Sequence, residues 1–285
     1  MRIECASGDH ADGSIRRAWA QRRLPAPLQG PVIVTRAVGF LLLVVLTNAT
    51  LLLLLPFTAT RFLVTAVLYA AGTAAMLVIL FHPRNRWFLD PRTDVQSRGR
   101  PSVALTFDDG PSPDVTVRVL DILRQKNAKA TFFVVGRQVE RHPELARRAV
   151  AEGHVVANHT YSHPPLFCFL SPRRLREEIE RTQDVIHGIA GVRPRHFRSP
   201  VGLRHPLLKE ALERANLELV LWRLRTYDTW PTTRDQLHRR ILGRVRPGAI
   251  VLLHDRPGPG TEAMVAALPD VIDALRHRGY ELVTV

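Results

Sequence analysis

Seven side chains carry the chemistry for which this sequence can be read. Asp108 and Asp109 stand together in Thr-Phe-Asp-Asp-Gly-Pro, and His159 and His163 are four apart in His-Thr-Tyr-Ser-His. Arg198 opens Arg-Ser-Pro, Asp228 comes two residues before Trp230, and His254 closes the apolar run Leu252-Leu253-His254. A carboxylate with two imidazoles suits a borderline divalent cation such as zinc and leaves a coordination position open for water. A second carboxylate, an arginine and a further histidine accompany that set, and metal-assisted hydrolysis needs a base for the water and an acid for the leaving group. Alone, Asp-Asp-Gly-Pro is a turn and His-x-x-x-His a chance pair. Their recurrence, in order, at the ends of successive apolar runs points to a metal site.

Those runs are the elements that must position the side chains. Residues 103–107 are β-favouring and stopped by Gly110-Pro111, so both aspartates fall at a strand's C-terminal mouth. Further strands are predicted over 130–135, 154–157, 195–198, 217–222, 249–253 and 280–285. Helices are predicted between them: a face through Val115, Val119 and Leu123, a helix from Pro143 to Gly153, one capped by Ser171-Pro172, and others over 206–215, 233–245 and 269–278. Alternating β and α units predict an α/β fold, a distorted or incomplete (β/α) barrel with its strand ends gathered at one mouth.

Ahead of it, residues 1–36 read as a basic, disordered tail, and 37–57 and 62–81 as two uncharged apolar runs. The expectation is a two-helix transmembrane hairpin over 37–82, a linker over 83–100 and the catalytic domain over 101–285. Arginines flank both outer ends, whereas the short connection holds only Arg61. The charge rule therefore predicts a multi-pass membrane protein with its catalytic domain in the cytoplasm and membrane lipid as a partner.

The net charge of +14 does not point to nucleic acid: Lys126, Lys129 and Lys209 are the only lysines among 40 basic residues, and the arginines are dispersed without interleaved aromatics. Cys5 and Cys168 are the only cysteines, so neither a disulfide framework nor a thiolate metal site is indicated.

Thr106-Phe107-Asp108-Asp109-Gly110, His159-Thr160-Tyr161-Ser162-His163, Arg198-Ser199-Pro200 and Leu252-Leu253-His254 together resemble the successive motifs of the polysaccharide deacetylases, the NodB-homology domain of carbohydrate esterase family four. The resemblance covers about residues 101–285. It implies removal of N-acetyl or related acyl groups from amino sugars with a divalent metal, usually zinc. By that likeness Asp109, His159 and His163 hold the metal, Asp108 is the base, His254 the acid, and Arg198 orients Asp108. The backbone N–H of Val201 would bind the oxyanion, and Leu252 would line the acetyl pocket. The substrate implied is an N-acylated amino-sugar polymer, or a lipid-linked sugar if the domain lies inside the cell.

Two positions depart from the family's pattern. Val201 replaces an aromatic, and in Trp222-Arg223-Leu224-Arg225-Thr226-Tyr227-Asp228-Thr229-Trp230 an arginine, Arg225, stands where the first acid belongs, with Trp230 displaced by one. Asp228 matches the second acid and supports either Arg198 or His254. Arg225 motivates a competing reading, a barrel that binds glycan without turnover; retention of both Asp108 and His254 argues for the enzyme.

Overall fold

In a computed structural model of the chain the described residues are 46–47, 49–50, 59–81, 90–97 and 99–285. The sheet begins with β1 (Ser102–Asp108), whose side chains are buried on both faces, as befits a central parallel strand. There follow α2 (Thr116–Gln125), β2 (Thr131–Val134), α3 (Gly136–Arg141), α4 (Pro143–Ala151), β3 (Val155–Asn158), α5 (Pro172–Ala190), β4 (His196–Phe197) and α6 (Leu208–Ala215). β5 (Glu218–Leu219), β6 (Leu224–Arg225), α7 (Arg234–Arg244), β7 (Ile250–His254), α8 (Thr261–His277) and β8 (Glu281–Val283) complete the chain.

All the strand pairs are parallel, in the order β5-β4-β3-β2-β1-β7-β6, and β8 joins the first half of β1. The sheet curls into an incomplete barrel, with β5 and β6 at its two ends. Arg92 bridges Val220 beyond β5, and Asp94 bridges Ala249 before β7, so the segment just ahead of the barrel runs across its open side.

The pleat sorts the core. Val103, Leu105 and Phe107 of β1, with Val251 and Leu253 of β7 and Leu224 of β6, face a cluster that takes in Val119 and Leu123 of α2, Leu237 and Ile241 of α7 and Val271 and Leu275 of α8. Ala104, Phe133, Ile250 and Leu252 face the opposite way, into a cluster with Phe197 and Trp222. Thr106 and Asp108 share the face of Ala104, because successive strand residues alternate. The helices carry their own signals: Ser171 Oγ accepts from the Arg174 N–H at the start of α5, and Thr233 and Gln236 form a reciprocal capping box on α7.

Two expected boundaries move. The strand read over 217–222 shortens to β5 and the Val220 bridge, and β6 follows beyond it after a bend at Arg223. Pro269, read as a helix start, lies inside α8, where Met264, Val265, Ala267 and Leu268 are buried ahead of it. That burial offsets the hydrogen bond that the proline cannot make.

Ahead of the sheet, the described residues include the helix α1 (Ala59–Phe81). Thr60, Thr65, Tyr69, Gly72 and Thr73 dilute its apolar residues, and Thr65 and Thr73 turn their hydroxyls back onto the carbonyls of Phe62 and Tyr69. Among the described residues no helix is long and apolar enough to cross a membrane. The expected hairpin over 37–82 is not upheld, and the multi-pass localisation, the cytoplasmic placement and the membrane-lipid partner fall with it. The basic tail over 1–36 and most of the first apolar run lie outside the described residues.

Candidate metal and catalytic site

Because the strands are parallel, the residues that follow β1, β3, β4, β6 and β7 emerge on one side of the barrel, where α/β folds keep their sites. Asp109, His159 and His163 meet there, each offering one ligand atom within 4.8 Å of the others. Asp109 Oδ1 lies 3.4 Å from His159 Nε2 and 3.1 Å from His163 Nε2. These separations are close to the edge of about 3.3 Å expected between ligands on tetrahedral metal bonds of about 2 Å. His159 Nδ1 is 2.7 Å from the Arg198 carbonyl, which can only accept, so Nδ1 carries a proton and Nε2 is the nitrogen turned toward Asp109. Burial works against a charge on Asp109, but the hydrogen bonds and charges of His159 and His163 outweigh it and hold the carboxyl well below the usual carboxylate range. A carboxylate and two imidazoles, one of them oriented by the Arg198 carbonyl, fit a divalent cation.

Asp108 is held separately. Arg198, 0% exposed, donates from Nη1 to Asp108 Oδ1 at 2.6 Å and to Thr106 Oγ1 at 2.8 Å, and from Nε to the Val220 carbonyl at 3.2 Å. Its guanidinium lies 3.9 Å above the Phe133 ring centroid. With Oδ1 committed to Arg198, Asp108 Oδ2 faces the metal-ligand cluster, 3.8 Å from His159 Nε2.

On the neighbouring strand His254 is the register partner of Asp108. Asp228 grips it twice, with Oδ2 accepting the His254 backbone N–H at 2.8 Å and Oδ1 lying 2.9 Å from Nδ1. Thr226 Oγ1 is within hydrogen-bond distance of both Asp228 Oδ1 and the Leu252 carbonyl. Burial lowers the pKa of His254, but the hydrogen bond and charge of Asp228, with the charges of Asp108 and Asp109, overcome this and raise it. Of the two partners left open for Asp228, His254 is the one it bonds.

The loops that carry these groups are conformationally strained. Asp109, Thr160, His163, Val201 and Tyr227 all have positive φ, a backbone state costing about 1–3 kcal/mol that persists where surroundings enforce it. Val201 is half exposed, and after it Gly202 (φ 77°) packs so closely on Trp222 that a Cβ there would come within 2.7 Å of the indole. Leu252 is buried on the inward face of β7. Trp230 is 67% exposed. The Arg225 guanidinium lies 6.0 Å from the Trp222 ring centroid and 5.2 Å from that of Tyr227.

Two residues at the site were not singled out in the sequence. Arg256 Nε donates to Asp109 Oδ2 at 2.6 Å, but one more arginine in an arginine-rich chain gives no local signal. Asp255, wholly buried, accepts from Thr116 Oγ1 at 2.6 Å and from the Gly110 N–H at 3.0 Å. It clamps the turn that presents Asp109; a Cβ on Gly110 would lie 2.1 Å from its Oδ2. Burial pushes the Asp255 carboxyl up to about 7. Its place directly after His254 was the one available hint.

Known proteins resemble this chain in sequence and in fold. The family profile described as polysaccharide deacetylase matches residues 96–220. A peptidoglycan-N-acetylglucosamine deacetylase of Bacillus cereus is 39% identical over 183 residues, which cover 64% of this chain and 66% of that protein. A chitooligosaccharide deacetylase of Bradyrhizobium is 41% identical over 195 residues, covering 65% of this chain and 89% of the relative. Among solved structures, a peptidoglycan N-acetylglucosamine deacetylase superposes with a TM-score of 0.64 at 36% identity, over 68% of this chain and 90% of that one.

Proposed function

Because this chain belongs to the polysaccharide deacetylase family, we propose that it is a metal-dependent hydrolase that removes N-acetyl groups from the amino sugars of a cell-envelope polysaccharide. The observation that carries the reading is the pairing of Asp108 with His254 on adjacent strands, beside the cluster of Asp109, His159 and His163. A binding site has no need of a base and an acid flanking a metal-ligand set. Asp109, His159 and His163 are the residues that would hold the ion, and their nitrogen and oxygen donors suit zinc. When bound, a divalent cation supplies Lewis acidity toward the acyl carbonyl and lowers the pKa of water to about 7.

The remaining work belongs to the chain. Asp108 accepts the proton of the attacking water at Oδ2, the oxygen Arg198 leaves free. Arg198 pairs with that carboxylate and fixes its orientation. His254, with Nδ1 engaged by Asp228, offers Nε2 as the proton donor to the departing amine, and its raised pKa keeps the proton in place near neutrality. The Val201 N–H is assigned to the oxyanion, where one well-placed donor is worth on the order of 3 kcal/mol. Leu252 is assigned to the wall against the acyl methyl and Trp230 to the outer part of the substrate cleft. The catalytic unit is taken as 101–285, with residues 83–100 leading into it.

The test is acetate release from N-acetylated chito-oligosaccharides. Protein loaded with zinc should liberate acetate and a free amine in equal amounts, a chelator should stop the reaction, and added zinc should restore it. Oligosaccharide binding without acetate release from any N-acetylated substrate would leave the binding-only barrel instead.

A further inference from the structure

Arg225 is a cation on the inner wall of the mouth, with no acid paired to it among the described residues. Leu224 faces the outer core cluster, so Arg225, the next residue on β6, faces inward, and its register partner is Leu252, which lies in the inner cluster. Trp222 sits between two arginines there, its ring centroid 5.8 Å from the Arg198 guanidinium and 6.0 Å from that of Arg225. Arg198 is neutralised by Asp108. Arg225 has no carboxylate within ion-pair distance among the described residues, and the closest acid in sequence, Asp228, is committed to His254. Tyr227 stands beside it, partly exposed and with φ 58°, presenting a ring 5.2 Å from the guanidinium.

A half-buried guanidinium without a carboxylate partner can take an anion, and its forked donors match a carboxylate or phosphate. An acid at this position, as in the pattern the sequence resembles, would repel such a group. We propose that Arg225 is a specificity-determining residue that binds an anionic oxygen group, carboxylate or phosphate, on the sugar next to the one being deacetylated. The inference rests on the deacetylase reading of the mouth and adds the charge of its substrate: an acidic amino-sugar polymer in preference to a neutral one.

The experiment uses zinc-loaded full-length protein and three oligosaccharides of equal length. One is built of N-acetylglucosamine alone, one carries a carboxylate on the neighbouring sugar, and one carries a phosphate ester there. The wild type should turn over at least one charged oligosaccharide with the higher kcat/KM, and whichever it prefers identifies the anion. Arg225→Gln should lower kcat/KM on that substrate about tenfold, mainly through KM, and change the neutral one by less than about twofold, while Arg225→Lys recovers part of the loss. Equal losses on charged and neutral substrates, or no preference in the wild type, would overturn the proposal and leave the deacetylase intact. Calorimetric binding of the same oligosaccharides separates the two claims. Charge-selective binding that depends on Arg225, without acetate release, would keep the subsite and remove the catalytic reading; unselective binding without acetate release would remove both.

Discussion

Arg198 and Arg225 approach the ring of Trp222 at nearly the same distance, and they have little else in common. Arg198 is sealed from water, bonded to Asp108, Thr106 and the Val220 carbonyl, and stacked on Phe133. Arg225 is partly exposed and touches aromatic rings but no carboxylate among the described residues. A guanidinium that is buried, paired and fixed from several sides can only hold something in place. One that is open on one side and unpaired can still take a partner from solution. The same residue type is therefore part of the scaffold on one side of an indole and available for recognition on the other.

The largest effect should come from the sealed arginine. Arg198→Met leaves Asp108 buried without a counter-charge, which should cost about 3–5 kcal/mol in a urea titration, and it lets the base drift, so kcat should fall by about 10²–10⁴. A loss below tenfold would break the contrast between the two arginines.

Next is the acid. Because Asp228 raises the pKa of His254, the imidazolium needed by the leaving amine persists as the pH rises, until the raised pKa is passed. Asp228→Asn should move the alkaline limb of kcat/KM toward lower pH. The same sign applies to folding: the pair's contribution is complete below the ordinary histidine pKa and is lost as the pH climbs through the raised one. An unchanged alkaline limb would mean that another group is the acid.

A smaller effect probes the indole that the two arginines share. Gly202→Ala forces a Cβ against Trp222 at a positive φ, and should destabilise the fold by about 1–2 kcal/mol, read as a lower melting temperature. The smallest effect on turnover should follow Arg256→Gln. Losing the hydrogen bond to Asp109 Oδ2 should weaken zinc affinity by about 10–100-fold in a chelator competition, while kcat at saturating zinc stays nearly unchanged.

Much of this arrangement was legible in the sequence, because its signals are local. An apolar run ending in Asp108-Asp109, a proline at the start of α4 and a serine cap on α5 each declare themselves within a few residues. The parts that were not legible depend on distant chain. Arg92 reaches Val220, so the extended stretch read over 217–222 is shared between a sheet edge and a bridge to a remote segment. The hold of Asp228 on His254 and of Arg256 on Asp109 becomes visible only when β6, β7 and β1 are side by side. The membrane hairpin was read from two uncharged apolar runs, and it is not upheld because no helix among the described residues is long and apolar enough to cross a membrane.

The central claim separates metal holding from proton transfer, and one paired measurement tests it: zinc content by mass spectrometry, with acetate release on the same samples, for the wild type, Asp108→Asn and His163→Ala. The account predicts about one equivalent of zinc and turnover in the wild type, about one equivalent with acetate release reduced by about 10²–10⁴ in Asp108→Asn, and loss of both in His163→Ala. Full zinc occupancy in His163→Ala, or undiminished acetate release by Asp108→Asn, would contradict it.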